Sequence, residues 1–201
     1  MLIDSRYSIR NATTKDAAGI LECLRLAFEP YRSFYTKGAY EDTILTADTI
    51  SERLSAMQVY VAVTDTNQVI GTIACSPINE KEGHLRGMAV LPQWQSSGVA
   101  KALLKTAEAA LSALGCSIIT LDTTAPLERA IRFYQKKWLS PDWQSHRLLW
   151  HVSLRIREDY CLTRPRRSFH HRLALVVERD VTKRCVMIVR KQNQPLFRNR
   201  P

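Results

Sequence analysis

Residues Gln95 to Lys101 read Gln-Ser-Ser-Gly-Val-Ala-Lys, between an apolar strand-like run and an Ala/Leu-rich helical run. A turn that opens directly into a helix presents several backbone N–H groups without intrahelical partners. Together with the helix dipole, those donors suit a phosphate or pyrophosphate. Gly98 lets the backbone approach an anion closely, and Ala100 keeps the first helical turn uncrowded. Two side chains nearby have proton chemistry. Tyr134 carries a phenol, and His84 an imidazole whose unperturbed pKa of about 6.5 suits acid–base work.

The elements that must position these groups follow from periodicity and punctuation. Tyr7 to Asn11 predicts a first strand, and Ala17 to Phe28 a helix with Ile20, Leu24 and Phe28 on one face, stopped by Pro30. Tyr31 to Thr43 is aromatic and polar without clear periodicity. Thr46 to Met57 predicts a second helix, with Thr46 or Asp48 as its cap. Val59 to Val63 and Val69 to Cys75 predict a hairpin joined through Asp65-Thr66-Asn67. Glu82-Gly83-His84 is expected as a turn. The strand Leu85-Arg86-Gly87-Met88-Ala89-Val90 follows, closed by Pro92. Next come a helix from Gly98 to Leu114 ended by Gly115, a strand from Ser117 to Asp122, and a helix from Leu127 to Lys136. Strands mixed with packed helices give an α/β (α+β) class with a mixed sheet.

Gln95, Gly98 and Ala100 meet the pattern Gln/Arg-x-x-Gly-x-Gly/Ala. The Gly87-Met88-Ala89-Val90 strand precedes it, the Ile118 to Asp122 strand lies one helix downstream, and Ala130-Ile131-Arg132-Phe133-Tyr134 follows. In this order, residues from about 7 to 136 resemble the GNAT superfamily of acetyl-CoA-dependent N-acetyltransferases. The resemblance implies a mostly antiparallel, twisted mixed sheet flanked by helices. It implies that Gln95, Ser96, Ser97, Gly98, Val99, Ala100 and Lys101 hold the pyrophosphate of acetyl-CoA, and that the backbone of Met88, Ala89 and Val90 pairs with the pantetheine arm. Tyr134 would be the general acid for the departing thiolate. The segment from Tyr31 to Asp42 would line the acceptor pocket, with Phe34, Tyr35, Tyr40, Glu41 and Asp42 as candidates, its acidic groups suiting a cationic amine. Many relatives have Glu near His84 as base, and many have Asn where this chain has Leu127. Each residue also has a plainer role open to it: core packing for Met88, Val90 and Tyr134, solvent exposure for Lys101 and His84, and a surface loop for Tyr31 to Asp42.

Composition bounds the alternatives. No apolar run approaches a membrane span, and Met1-Leu2-Ile3-Asp4 turns polar at once, so no signal peptide is expected. The 5 Cys residues lack CxxC spacing, which argues against a metal site or disulfide framework and fits a reducing cytoplasm. The net charge of +10 is confined to one end: residues 137–201 hold 15 Lys/Arg and 5 Asp/Glu, whereas residues 1–136 hold 14 of each. All 7 Gly precede position 137, while three of the 4 Trp follow it. The patch Arg164-Pro165-Arg166-Arg167 invites a nucleic-acid reading, but no element interleaves aromatic and basic residues convincingly, so nucleic acid is disfavoured.

A different explanation accounts for more of the tail. After the helix Tyr, the GNAT family continues x-x-x-Gly-Phe, where this chain has Trp138-Leu139. Trp has the single codon TGG, whose last two bases encode Gly when read one nucleotide later. Continued through Tyr160, that frame permits NGFRPTGKVTDFFGMSLFEYVKT, with Trp138, Trp143 and Trp150 each forced to Gly. The string has two short alternating strands, like a closing hairpin. The expectation is therefore a GNAT-type domain over 1–136 and an out-of-frame, poorly ordered tail over 137–201. The final two strands would be missing or replaced, an edge of the sheet uncovered, and activity weak. The function expected is acetyl transfer to a small-molecule or peptide amine. A non-catalytic acyl-CoA-binding module is the second class, and a homodimer is left open.

Overall fold

The computed structural model describes residues 7–138 and the backbone of three further strands, 151–156, 173–179 and 185–191. The order is β1 (Ser8–Asn11), α1 (Ala17–Phe28), α2 (Lys37–Ile44), α3 (Ala47–Ala56), β2 (Gln58–Val63), β3 (Val69–Pro77), β4 (Glu82–Val90), α4 (Val99–Ala113), β5 (Ile118–Thr123) and α5 (Glu128–Trp138). The strands β6 (His151–Ile156), β7 (Leu173–Arg179) and β8 (Cys185–Lys191) follow. One sheet runs β1-β2-β3-β4-β5-β6-β7-β8. Its pairs are antiparallel except β4/β5 and β5/β6. The mixed, mostly antiparallel sheet flanked by helices is as expected.

The core lies on β3. Every residue from Val69 to Cys75 is buried, which requires cover on both faces, because successive side chains point to opposite sides. Helices α1 and α4 both pack on β3. They contribute Ile20, Leu24, Leu103, Leu104 and Leu111, all almost fully buried with Ile70 and Ile73. Helical spacing produced those apolar faces. The tight links are also local: Asn67 at φ 59 turns the β2–β3 hairpin, where the Thr64 N–H donates to the Gln68 carbonyl. Thr46 caps α3 by accepting from the Thr49 N–H.

Two expectations need correction. The Tyr31 to Thr43 stretch is not irregular; a 3-10 turn over Glu29–Phe34 leads into α2. The apolar periodicity there is weak, and the helix is started by Thr36, whose side chain accepts from the Ala39 N–H. The α1 helix ends at Phe28, as expected, and Pro30 sits in the first turn of the 3-10 segment that follows, where its missing N–H has no bond to lose. His84 lies inside β4, between Ser76 and Thr120, rather than in a turn. As for the closing strands, the backbone follows the second alternative, replacement, and β6 pairs with β5 from Ile118 to Thr123, so that edge is covered. The expectation of a poorly ordered tail falls mainly outside the described residues.

One polar junction ties β1 to the start of α1. Asp16, almost fully buried, accepts both Arg10 guanidinium bonds at 2.8 Å and the Thr13 N–H at 2.7 Å. The Arg10 bonds foremost hold its carboxyl down at about 2, against the opposing effect of burial. A carboxyl with a lowered folded pKa stabilises above its unfolded value, 3.8 here, and that contribution disappears as pH falls toward about 2. Asp16→Asn is therefore expected to cost about 1–2 kcal/mol at neutral pH, discounted for the partial exposure of Arg10. Urea unfolding at several pH values checks this: the deficit should shrink below about pH 4, and a deficit constant with pH would contradict it.

Candidate active site

The site begins as an irregularity in β4. Thr72 pairs with Ala89 and Ala74 with Arg86, so Gly87 and Met88 together oppose Ile73 alone. Such a bulge bends the strand, and Gly87 accommodates it at φ +61. On its other side β4 pairs with β5 only from Glu82 to Leu85. Past that point β5 continues to Thr123 beside β6 while β4 continues to Val90 beside β3. The two parallel strands diverge, and a cleft of about 680 Å³ opens between them. Among the described residues no strand pairs with the Gly87–Val90 edge of β4 facing this cleft. Backbone N–H and C=O groups left there are available to an extended ligand.

The end of β4 leads into the Gln95–Gly98 turn. Ser96 at φ 67 and Gly98 at φ +93 are both left-handed, which coils the chain into the start of α4. The first helical bond runs from the Ala102 N–H to the Gly98 carbonyl, so the N–H groups of Val99, Ala100 and Lys101 stand ahead of the ladder. Gln95 Nε2 donates to the Val90 carbonyl at 3.3 Å and fixes the turn to the strand. From α5, Arg129 donates to Gln95 Oε1 at 2.6 Å and to Ser96 Oγ at 2.9 Å. Arg129 was not among the residues singled out from the sequence; only its guanidinium, one turn into a helix, could have hinted at it. It lines the cleft with Lys101 and adds positive charge beside the turn.

Tyr134 reaches the same cleft from α5. Its ring is buried and its hydroxyl donates to Met88 Sδ at 3.0 Å. Burial raises its pKa, so the phenol stays protonated across the neutral range. The hydroxyl of a helix residue and the bulge of a distant strand are thereby brought together.

At the other end of the cleft, Tyr35 is buried and its hydroxyl lies 2.5 Å from Thr124 Oγ1. His84 Nδ1 lies 3.0 Å from Thr120 Oγ1. Both line the cleft, together with Asp42. Tyr40 and Glu41 do not: Tyr40 is buried and donates to Glu29 Oε2 at 2.9 Å, and Glu41 is exposed beside Lys37. Helix α2 turns their side chains away, which could not be anticipated while the segment was taken as irregular. Met88, Ala89, Val90, Gln95, Ser96, Gly98, Ala100 and Lys101 line the cleft. Ser97 and Val99 do not; the Val99 side chain is fully buried in the core, so any part it takes is through its N–H. Among the described residues Cys23, Cys75 and Cys116 are free and buried. Burial lifts the thiols of Cys23 and Cys75 to about 12 and about 11, which removes them as nucleophiles. No group of side chains among the described residues could hold a metal ion, and no helix among them is long and apolar enough to cross a membrane.

The acetyltransferase (GNAT) family profile matches residues 20–138, a segment that contains the diverging strands, the turn and Tyr134. The chain belongs to the GNAT family of acetyltransferases. Two solved structures agree in fold. A GNAT acetyltransferase from Staphylococcus aureus Mu50 is 16% identical with a TM-score of 0.56, over 65% of this chain and 82% of that one. An acetyltransferase from Streptococcus agalactiae 2603 is 19% identical with a TM-score of 0.55, over 68% and 86%. A GNAT acetyltransferase from Brucella melitensis, described in complex with acetyl-CoA, is 26% identical with a TM-score of 0.49, over 58% and 75%. No curated protein matches the chain.

Gly98 gives a direct check of the turn. A Cβ there has room, its nearest neighbour being the Tyr7 hydroxyl at 3.5 Å, so Gly98→Ala acts through backbone strain alone. Left-handed backbone costs a non-glycine residue about 1–2 kcal/mol. Calorimetric titration with CoA should show affinity reduced about tenfold if that strain opens the turn. Unchanged affinity would mean that the turn does not hold the ligand.

Proposed function

We propose that this chain moves an acetyl group from acetyl-CoA to a primary amine of a small molecule or peptide by direct attack. The observation that carries this is the convergence of three parts on one cleft: a strand edge unpaired among the described residues, a helix-start turn, and the Tyr134 hydroxyl beside Met88. The turn at Gln95–Lys101, with Arg129 and Lys101 beside it, suits a pyrophosphate. The Gly87–Val90 edge suits a pantetheine arm lying as an added strand, and one of its N–H groups would polarise the thioester carbonyl. A Lys-like amine is neutral in only about one molecule in 2,500 at pH 7, a cost of about 4–5 kcal/mol. A desolvated acceptor end of the cleft lowers that cost by disfavouring the ammonium. When the amine nitrogen bonds to the acyl carbon and the C–S bond breaks, Tyr134 gives its proton to the thiolate sulfur. The amine's surplus proton leaves to solvent, and the Tyr134 phenolate regains a proton from solvent before the next turnover. Transfer from a buried phenol to a thiolate is uphill by their resting pKa values, so it is concerted with C–S cleavage, where developing charge on sulfur makes the acceptor more basic.

Tyr134→Phe keeps the ring and removes the hydroxyl. It should lower kcat about 10²-fold or more while CoA affinity by calorimetry stays the same. A non-catalytic acyl-CoA-binding module would show no turnover before or after the change, and an unchanged kcat in an active protein would remove Tyr134 from the chemistry.

We also propose that residues from about Lys137 onward are read out of frame relative to the ancestral gene, and that the chain as written is poorly stable and weakly active. Support comes from the forced glycines at Trp138, Trp143 and Trp150, from the charge shift at the same point, and from the family match, which ends at residue 138. Sequencing the nucleotides from the Phe133 codon to the Trp150 codon should reveal an added or missing base. A frame shared with an intact relative through Trp138, or robust turnover by the purified chain, would refute the proposal.

A further inference from the structure

The acceptor end of the cleft holds a cation that the reaction above does not use. Arg53 comes from α3, is half-buried, and lines the cleft. Its Nη1 lies over the β4 bulge, 2.5 Å from where a Cβ on Gly87 would sit. Because Gly87 has no side chain, the guanidinium reaches the strand at the point where β4 leaves β5. Among the described residues this guanidinium makes no hydrogen bond or ion pair, while both oxygens of the neighbouring Asp42 are taken by Arg86, at 3.0 and 2.8 Å. Burial, with the Arg86 charge adding to it and Asp42 opposing, pushes Arg53 down to about 10, still cationic at neutral pH.

This arrangement reverses the charge expected of the acceptor. The acidic residues of the Tyr31 to Asp42 segment do not present an open carboxylate to the cleft: Glu41 is outside it and Asp42 is neutralised by Arg86. Asp122, on β5, also lines the cleft but is exposed to solvent, where water screens its charge more than that of the half-buried Arg53. A half-buried guanidinium without a partner is costly to keep, and its planar fork of donors matches a carboxylate.

Resting on the acetyl-transfer reading, we propose that the acceptor is an aminocarboxylate, an amino acid or close analogue, whose carboxylate pairs with Arg53 while its amine faces the thioester carbonyl at the Gly87–Met88 bulge. The bond changes are those already given: N–C forms, C–S breaks, Tyr134 protonates sulfur, and the amine proton leaves to solvent. Arg53 takes no part in proton transfer; it sets which amines are held.

The test uses the full chain with acetyl-CoA and a panel of L-amino acids, each paired with its carboxamide, and follows thiol release. For the amino acids that turn over, kcat/KM should exceed that of the amide by about tenfold or more, and Arg53→Gln should bring the ratio toward one through KM rather than kcat. Arg53→Lys should keep part of the preference, since it retains charge but loses the fork. Amides turned over as well as acids, transfer to amines with none to amino acids, or Arg53→Gln lowering both members equally would each overturn the proposal. If the wild-type chain fails to bind acetyl-CoA by calorimetry, the acetyl-transfer reading fails separately. The carboxylate claim is then decided by thermal unfolding with the same panel. Stabilisation of wild type by an amino acid, absent with its amide and lost in Arg53→Gln, supports it; no such difference overturns it.

Discussion

β4 leaves β5 after Leu85 because Gly87 and Met88 together face a single residue of β3. A regular β4 would keep its hydrogen bonds to β5, and no cleft would exist. Once the strands part, the Gly87–Val90 edge has to be satisfied by water or by a ligand. The same bulge sets Met88 against the Tyr134 hydroxyl and clears the space occupied by the Arg53 guanidinium. Strand edge, phenol and cation are therefore consequences of one local irregularity, held in place by the buried β3 on its other side.

The turn at Gln95–Gly98 depends on that strand as well. Its two left-handed residues set the N–H groups ahead of α4, but their position relative to the cleft is fixed by contacts across the chain. Gln95 bonds back to the Val90 carbonyl, and Arg129 reaches over from α5 to Gln95 and Ser96. These bonds join the strand, the turn and the helix that carries Tyr134. The geometry of the turn and the placement of the Tyr134 hydroxyl are coupled through them, since α5 cannot shift without moving both.

Charge in the cleft divides by location. Lys101 and Arg129 lie beside the turn, where a polyanionic group would sit. Arg53 and Arg86 lie at the opposite end, with Asp42 paired to Arg86. Counting acidic residues along the Tyr31 to Asp42 segment suggests a cationic acceptor, whereas their pairing in space leaves the Arg53 guanidinium unmatched among the described residues. Ion pairs between α2 and β4 are formed by residues far apart in the chain, and composition does not record which charges are already matched.

By itself the sequence determined most of the elements and the turn that opens α4. Helical spacing in Ala17–Phe28 and Val99–Ala113, alternation and β-branching in the β2–β3 hairpin, and Gly98 ahead of a helix are local properties, carried by side-chain periodicity and backbone sterics. The resemblance built on Gln95, Gly98, Ala100 and Tyr134 led to the family that the profile match then showed. It did not reveal α2, whose apolar spacing is weak, or the strand position of His84. The tertiary structure alone decided that β4 and β5 diverge, that Arg129 braces the turn, that Tyr40 and Glu41 face away from the cleft, and that Arg53 faces into it without a partner among the described residues. Those outcomes depend on register across strands and on which distant side chains meet, and neither is fixed by the residues adjacent in the chain.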